Sequence, residues 1–403
     1  MKKICWFLIL LILSIFGCRE KTAVISAPVE SGGPVDIPIT SVEVLQEQEF
    51  GFMEEIKKKA AIIAAAMSDK ALTGQVVIAG LDGKKSLGGT MRRLLAENLP
   101  GAIMLFSYNL DTDKETARSL LAECSRVVAE ASIVPFIAVD HEGGAVHRFG
   151  SYVRKLPSAA EFRFRVLAVG QERTLEEIEY QAFLSGTEIH EIGITMNFAP
   201  VAEILTTENA TFLRNRSFGP DGDFVEKAAA AFIRGMSRAG VACAAKHFPG
   251  DAGADPHTAK PTLDTDAQTL DMIVKPFRGL VRDVNPPAIM ISHVVVSVWD
   301  KERNASLSPI AVTRLRGLGF EGIAIADDFS MGAISGISAE DATVQALNAG
   351  IDMVMAWPRN LADTRRAIER SLKNGVIKRE RLVEAATRII AQKIRNGMLE
   401  SDF

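Results

Sequence analysis

Between residues 75 and 355 one pattern recurs eight times: a short apolar run, a polar residue where the run ends, and a longer stretch of helical character. The runs cover 75–79, 102–106, 135–139, 194–198, 241–245, 288–291, 322–326 and 351–355. Continuous apolar runs of this length are typical of strands buried on both faces, and their alternation with helical stretches implies parallel βαβ units. Eight such units suit a closed (β/α)8 barrel of the TIM type better than an open sheet. At 403 residues, with 47% hydrophobic and 24% charged, the chain has the length for one barrel plus tethers and the composition of an ordinary globular domain. A formal net charge of -4 gives no electrostatic footprint for nucleic acid, so no such partner is expected.

The ends of the runs carry the chemistry. Asp140 follows 137–139, Lys246 and His247 follow 241–245, His293 follows 288–292, and Asp327 follows 323–326. Barrels assemble active sites from the loops at the carboxyl ends of their strands. Ionisable groups converging on one rim are unfavourable unless they bind a polar ligand, so the pattern points to an enzyme site for a polar substrate. Gly143-Gly144 and Gly250-Asp251-Ala252-Gly253 match neither a dinucleotide-binding nor a P-loop pattern, and neither Ser292 nor Ser330 sits in G-x-S-x-G. No metal-ligand spacing is present, and no cofactor is expected. Cys124, in a helical stretch, and Cys243, in an apolar run, read as buried free thiols and not as a bridge.

At the amino terminus, Lys2-Lys3 precede an apolar run from Trp6 to Phe16 that leads into Gly17-Cys18. The run is too short to span a bilayer and reads as a secretory signal over residues 1–17. Its end resembles a bacterial lipobox, which implies diacylation of Cys18. Two or more acyl chains anchor stably, so the expected location is the cell envelope, membrane-anchored through Cys18 and facing the periplasm. Arg19 is not the aspartate that favours inner-membrane retention, and the outer membrane is preferred. Residues 19–50, with Pro, Gly and Ser, read as a flexible tether, 54–67 as a helix, and 51–403 as the barrel domain.

Four segments then carry a resemblance to a known family. They are Val139-Asp140-His141-Glu142-Gly143-Gly144-Ala145-Val146-His147-Arg148-Phe149, Asn197-Phe198-Ala199-Pro200-Val201, Lys246-His247-Phe248-Pro249-Gly250 and Leu318-Gly319-Phe320-Glu321-Gly322-Ile323-Ala324-Ile325-Ala326-Asp327-Asp328-Phe329-Ser330-Met331. Together, and in this order, they resemble glycoside hydrolase family 3. Asp255-Pro256-His257, shortly after the third segment, is similar to the mark of its β-N-acetylglucosaminidase branch. The resemblance covers roughly residues 70–400, and the chain's end soon after the eighth unit is similar to the single-domain members.

The resemblance implies a retaining exo-hydrolase that releases terminal β-linked N-acetylglucosamine from peptidoglycan fragments (muropeptides) or related glycans. Asp327, the first of its pair, would be the nucleophile that forms a covalent glycosyl-enzyme. Asp328 reads as structural or helix-capping, because successive side chains of an extended backbone point to opposite faces. His257, supported by Asp255, would protonate the leaving oxygen and then activate water, since an imidazole gives and takes a proton near neutrality. Asp140, Arg148, Arg216, Lys246 and His247 match positions that bind the sugar: a carboxylate accepts from hydroxyls, and fixed cationic groups donate to them. Arg214 competes with Arg216, which its Arg-Ser-Phe context favours, and His293 reads equally as a rim residue or a core histidine. Departures from the family pattern are Gly250-Asp251-Ala252-Gly253 in place of Gly-His-Gly, a shorter loop to Asp255, Pro256 in place of a small polar residue, and Glu203 where aspartate is common. The alternatives are a β-glucosidase or β-xylosidase of the same family and a lipoprotein that binds glycan without turnover.

Overall fold

Each of the eight apolar runs contributes a strand to one barrel. The computed structural model describes residues 39–250, 253, 261–330, 334 and 336–399, without the side chains of 39–50. The barrel lies in the compact unit formed by residues 50–403. Its strands are β1 (Val77–Gly80), β2 (Ala102–Leu105), β3 (Phe136–Val139), β4 (Met196–Asn197), β5 (Ala242–Phe248), β7 (Ala288–Ile291), β9 (Ile323–Ala326) and β10 (Val354–Ala356). Two short strands, β6 (Thr262–Leu263) and β8 (Val295–Val296), pair with each other outside it. The order β10-β1-β2-β3-β4-β5-β7-β9 is parallel throughout. The ring is completed where Ile325 bridges Met353 and the Ala326 N–H donates to the Met353 carbonyl at 3.0 Å.

Helices cover the outside of the strands with the 3.6-residue spacing that buries one stripe. The helix Gly222–Arg238, for example, buries Phe224, Val225, Ala228, Ala229, Phe232, Ile233 and Met236. The helix Gln171–Glu191 returns the chain from the mouth of the barrel to the start of β4. Cys124 and Cys243 are free and buried, as their settings predict.

Three boundaries differ from the sequence expectation. β5 runs on through Lys246, His247 and Phe248, because its register against β7 shifts between Ala245 and Phe248, so the polar pair sits inside the strand and not after it. Gln75 closes a short helix, Asp69–Gln75, whose N-cap Ser68 accepts from the Ala71 N–H at 3.2 Å, and β1 starts only at Val77. The first helix spans Ile39–Ala66 instead of starting at 54, so residues 39–50, assigned to the tether from composition, are helical. Pro38 is the last proline before it, and the Glu- and Gln-rich stretch beyond has good helix propensity.

One buried charge fixes the barrel seam. Asp352, fully buried, accepts from Arg316 at 2.5 Å, Arg381 at 2.7 Å and Arg388 at 3.1 Å, and from the Ala324 N–H at 2.9 Å. Arg316 lies on the helix Pro309–Gly317 and the other two on the helix Arg379–Arg395, so one carboxylate joins β9, the approach to β10 and two outer helices.

Candidate active site

The rim at the carboxyl ends of the strands gathers most of the residues expected there. Asp140 follows β3 and Asp327 follows β9 directly. Asn197 on β4 holds the loop after β3 through both ends of its amide, accepting from the His141 N–H and donating to the His141 carbonyl, each at 2.9 Å. Gly143 and Gly144 then turn the loop back with φ of 99° and 55°, so close to the chain that a Cβ on Gly143 would stand 2.3 Å from the Pro157 carbonyl oxygen. This turn aims Glu142 into the rim beside Asp140.

A chain of alternating charges results. Lys246 Nζ donates to Asp140 Oδ1 and to Glu142 Oε1, each at 2.6 Å. Arg216 grips Glu142 with two nearly parallel bonds, Nε to Oε2 at 2.8 Å and Nη2 to Oε1 at 2.9 Å. Arg148 Nη2 stands 3.7 Å from Asp140 Oδ2. Burial opposes the charge on Glu142, but Lys246 and Arg216 outweigh it and hold the carboxyl far below its usual range. Burial likewise pulls the Lys246 amine down, and Asp140 with Glu142 raises it above its ordinary value. Glu142 and Lys246 are therefore both charged at neutral pH.

Asp327 stands at the centre. Its Oδ1 accepts from the Asp328 N–H at 2.8 Å. Burial opposes its charge, yet His247, His293, that N–H and Lys246 together keep the carboxyl below the ordinary aspartate range. His247 is fixed from behind: its Nδ1 lies 2.5 Å from Glu203 Oε1, and its backbone N–H donates to the same oxygen at 3.3 Å. His293 is a core histidine that touches the rim, with Nδ1 2.7 Å from the Ser306 hydroxyl and Nε2 3.0 Å from the Asp328 carbonyl. Burial pulls its pKa below the usual imidazole value despite the neighbouring Asp327. Around these groups lies a cavity of about 290 Å3, lined by Asp140, Arg148, Arg216, Lys246, His247 and Asp327, with Phe106 and Trp357 among its apolar walls.

Asp140, Arg148, Arg216, Lys246, His247 and Asp327 thus meet at one mouth. Arg214, the competitor of Arg216, bonds its own helix through Nε to the Thr211 carbonyl at 3.2 Å. Asp255 and His257 lie outside the described residues, as does Cys18. Two carboxylates matter more than sequence reasoning allowed. Glu142 was visible as an acid immediately before Gly-Gly, and Glu203 as the residue standing in for an aspartate; neither position announces its partner in the linear chain. Among the described residues no cluster of His, Cys, Asp and Glu could hold a metal ion.

An ionised carboxylate beside fixed cations, in a polar cavity of about 290 Å3 at the mouth of a (β/α)8 barrel, is the arrangement of a glycoside hydrolase. Comparison with known proteins gives the family. The model of the glycosyl hydrolase family 3 N terminal domain matches residues 73–392, and the chain belongs to that family. It is 34% identical over 300 residues to a β-hexosaminidase of Methylococcus capsulatus, covering 72% of this chain and 84% of that one. It is 32% identical over 312 residues to the β-hexosaminidase LpqI of Mycobacterium tuberculosis, covering 73% and 75%. Among solved structures, a family 3 β-N-acetylglucosaminidase from Paenibacillus sp. superposes with a TM-score of 0.77 at 30% identity, covering 82% of this chain. This chain spans 63% of the Paenibacillus protein's length.

Proposed function

We propose that the protein is a retaining, exo-acting β-N-acetylglucosaminidase that removes terminal β-linked N-acetylglucosamine from peptidoglycan fragments or related glycans. The observation that carries this reading is the Asp327 carboxylate, kept ionised beside His247 and Lys246 at the mouth of a cavity of about 290 Å3. A site that small suits one terminal sugar ring, and the names of the relatives support N-acetylglucosamine as that ring. Asp327 attacks the anomeric carbon, and the glycosidic oxygen leaves with a proton from His257, oriented by Asp255. The resulting glycosyl-enzyme is hydrolysed when His257 takes a proton from water. Asp140, Arg148, Arg216, Lys246 and His247 hold the hydroxyls, so that ring position is set before the bond breaks.

The test uses chromogenic β-N-acetylglucosaminide and β-glucoside with the detergent-solubilised protein. Asp327→Ala should lower kcat by about 10³-fold or more with the far-ultraviolet circular dichroism unchanged. His257→Ala should lose about 10²–10⁴-fold, and less where the leaving group is a good one. Substantial turnover by the Asp327 variant would refute the nucleophile. Preference for the glucoside would move the protein to the β-glucosidase reading, and glycan binding without hydrolysis to the binding-protein reading.

The envelope location rests on the signal-like start and Cys18. Among the described residues no helix is long and apolar enough to cross a membrane. Growth with a labelled fatty acid should tag the wild-type protein and leave Cys18→Ala untagged, because the acyl chains are carried by that cysteine. A wild-type protein that takes up no label, or equal labelling of the variant, would refute the anchor.

A further inference from the structure

Asp328 holds an indole. Trp357, just past β10, donates its Nε1–H to both carboxylate oxygens of Asp328, at 3.1 Å and 3.0 Å. The same carboxylate accepts from the Ser330 N–H at 2.8 Å and the Ser330 hydroxyl at 2.7 Å, which fixes its own orientation. Beneath the ring lies Gly80, at the end of β1, where a Cβ would stand 2.3 Å from Trp357 Cε3; any other residue would displace the indole. Phe106, past β2, packs on it at 5.1 Å between ring centroids and an angle of 49°. Three strand ends therefore pin one side chain, and that side chain lines the cavity that holds Asp327.

An indole N–H in a partly buried site takes a hydrogen-bond partner, and here the protein itself supplies it. Nothing polar on Trp357 is left for a ligand, and the ring presents an apolar π surface. With Phe106, Met104 and Met355 it makes an apolar lining, while Asp140, Glu142, Arg148, Arg216, Lys246 and His247 make a polar one. A pyranose has the same division, with hydroxyls round its edge and C–H groups on its faces. We propose that Trp357 is a substrate-contacting residue against which a C–H face of the bound sugar packs, and that Asp328 is the positioning residue that holds the indole there. This rests on the glycosidase reading above.

The chain has three tryptophans, Trp6, Trp299 and Trp357, so intrinsic fluorescence reports on the contact directly. The full-length protein in detergent is titrated with N-acetylglucosamine, and fluorescence and heat are followed in parallel. The fluorescence change should saturate with the heat, persist in Trp299→Phe and vanish in Trp357→Phe. Trp357→Ala should raise KM about 10-fold with kcat altered much less, in keeping with loss of an aromatic contact. Asp328→Asn, which keeps a single acceptor, should show a smaller rise in KM and a shifted emission maximum. Heat of binding with a fluorescence change that survives in Trp357→Phe, or an unchanged KM in a folded Trp357→Ala, would overturn the contact while leaving the glycosidase reading intact. A wild-type protein that neither binds the sugar nor cleaves its glycosides would overturn both.

Discussion

His247 joins two carboxylates that do different work. Glu203, 1% exposed, meets its Nδ1, while Asp327 is held ionised in part by the ring's charge. Glu203 fixes the ring in the place from which it lowers the Asp327 carboxyl. Neutralising Glu203 should therefore weaken the hold on Asp327. The sign follows from that order. Asp327 lies below the ordinary aspartate value; losing a supporting charge moves it up toward that value, and the acid limb of kcat/KM moves to higher pH with it. Glu203→Gln should show this shift as a loss of activity confined to the acidic end. Glu203→Asp, which restores the charge, should recover most of the profile. An equal loss at every pH would mean that Glu203 serves folding alone. Nothing in the linear chain could have revealed this link, because residues 203 and 247 come together only when β4 and β5 pair.

At the scale of elements, the strands were legible because parallel strands buried on both faces are mostly apolar, and the runs between 75 and 355 follow that rule with few polar interruptions. The end of β5 was not legible. Lys246 and His247 break the apolar pattern, so the run ends at 245 by composition, while the register shift against β7 carries the strand past them. Asp352 was hidden in the same way, a single acid inside the run 351–355, and its meaning depends on three arginines supplied by distant helices. Asp352→Asn should destabilise the barrel by about 3–5 kcal/mol, because removing one partner from a buried ion cluster leaves uncompensated charge. Burial opposes the Asp352 charge, but Arg316, Arg381 and Arg388 hold its carboxyl below the ordinary value. Its contribution is therefore complete above that ordinary value and fades as pH falls through the depressed folded one. Urea unfolding at pH 7 and pH 3 should show the gap between wild type and variant narrowing in acid; a gap that widens would sink the assignment.

The whole molecule depends on bringing the two ends of a long chain together, since β1 pairs with β10 as well as with β2. Lys393, in the last long helix, reinforces that meeting from inside: it is fully buried, and its Nζ donates to Gln75 Oε1 at 2.5 Å across 318 residues of sequence. The same nitrogen also lies 5.4 Å from the Phe136 ring centroid. Burial pulls the amine well below the ordinary lysine value. In the unfolded chain the same amine keeps its proton up to about pH 10.4. Between the lowered folded value and that point the unfolded state binds more protons, so stability must rise with pH, by up to about 1.4 kcal/mol per unit for this one group. Replacing Lys393 alone would leave Gln75 without its donor, a separate penalty of about 1–3 kcal/mol. The informative variant is therefore Lys393→Met with Gln75→Leu, which swaps a buried polar pair for apolar groups of similar size. It should be at least as stable as wild type at pH 7 and should gain less on going from pH 7 to pH 9. Parallel stability curves for the two proteins across that range would show that the buried amine has no part in joining the ends of the barrel through its charge.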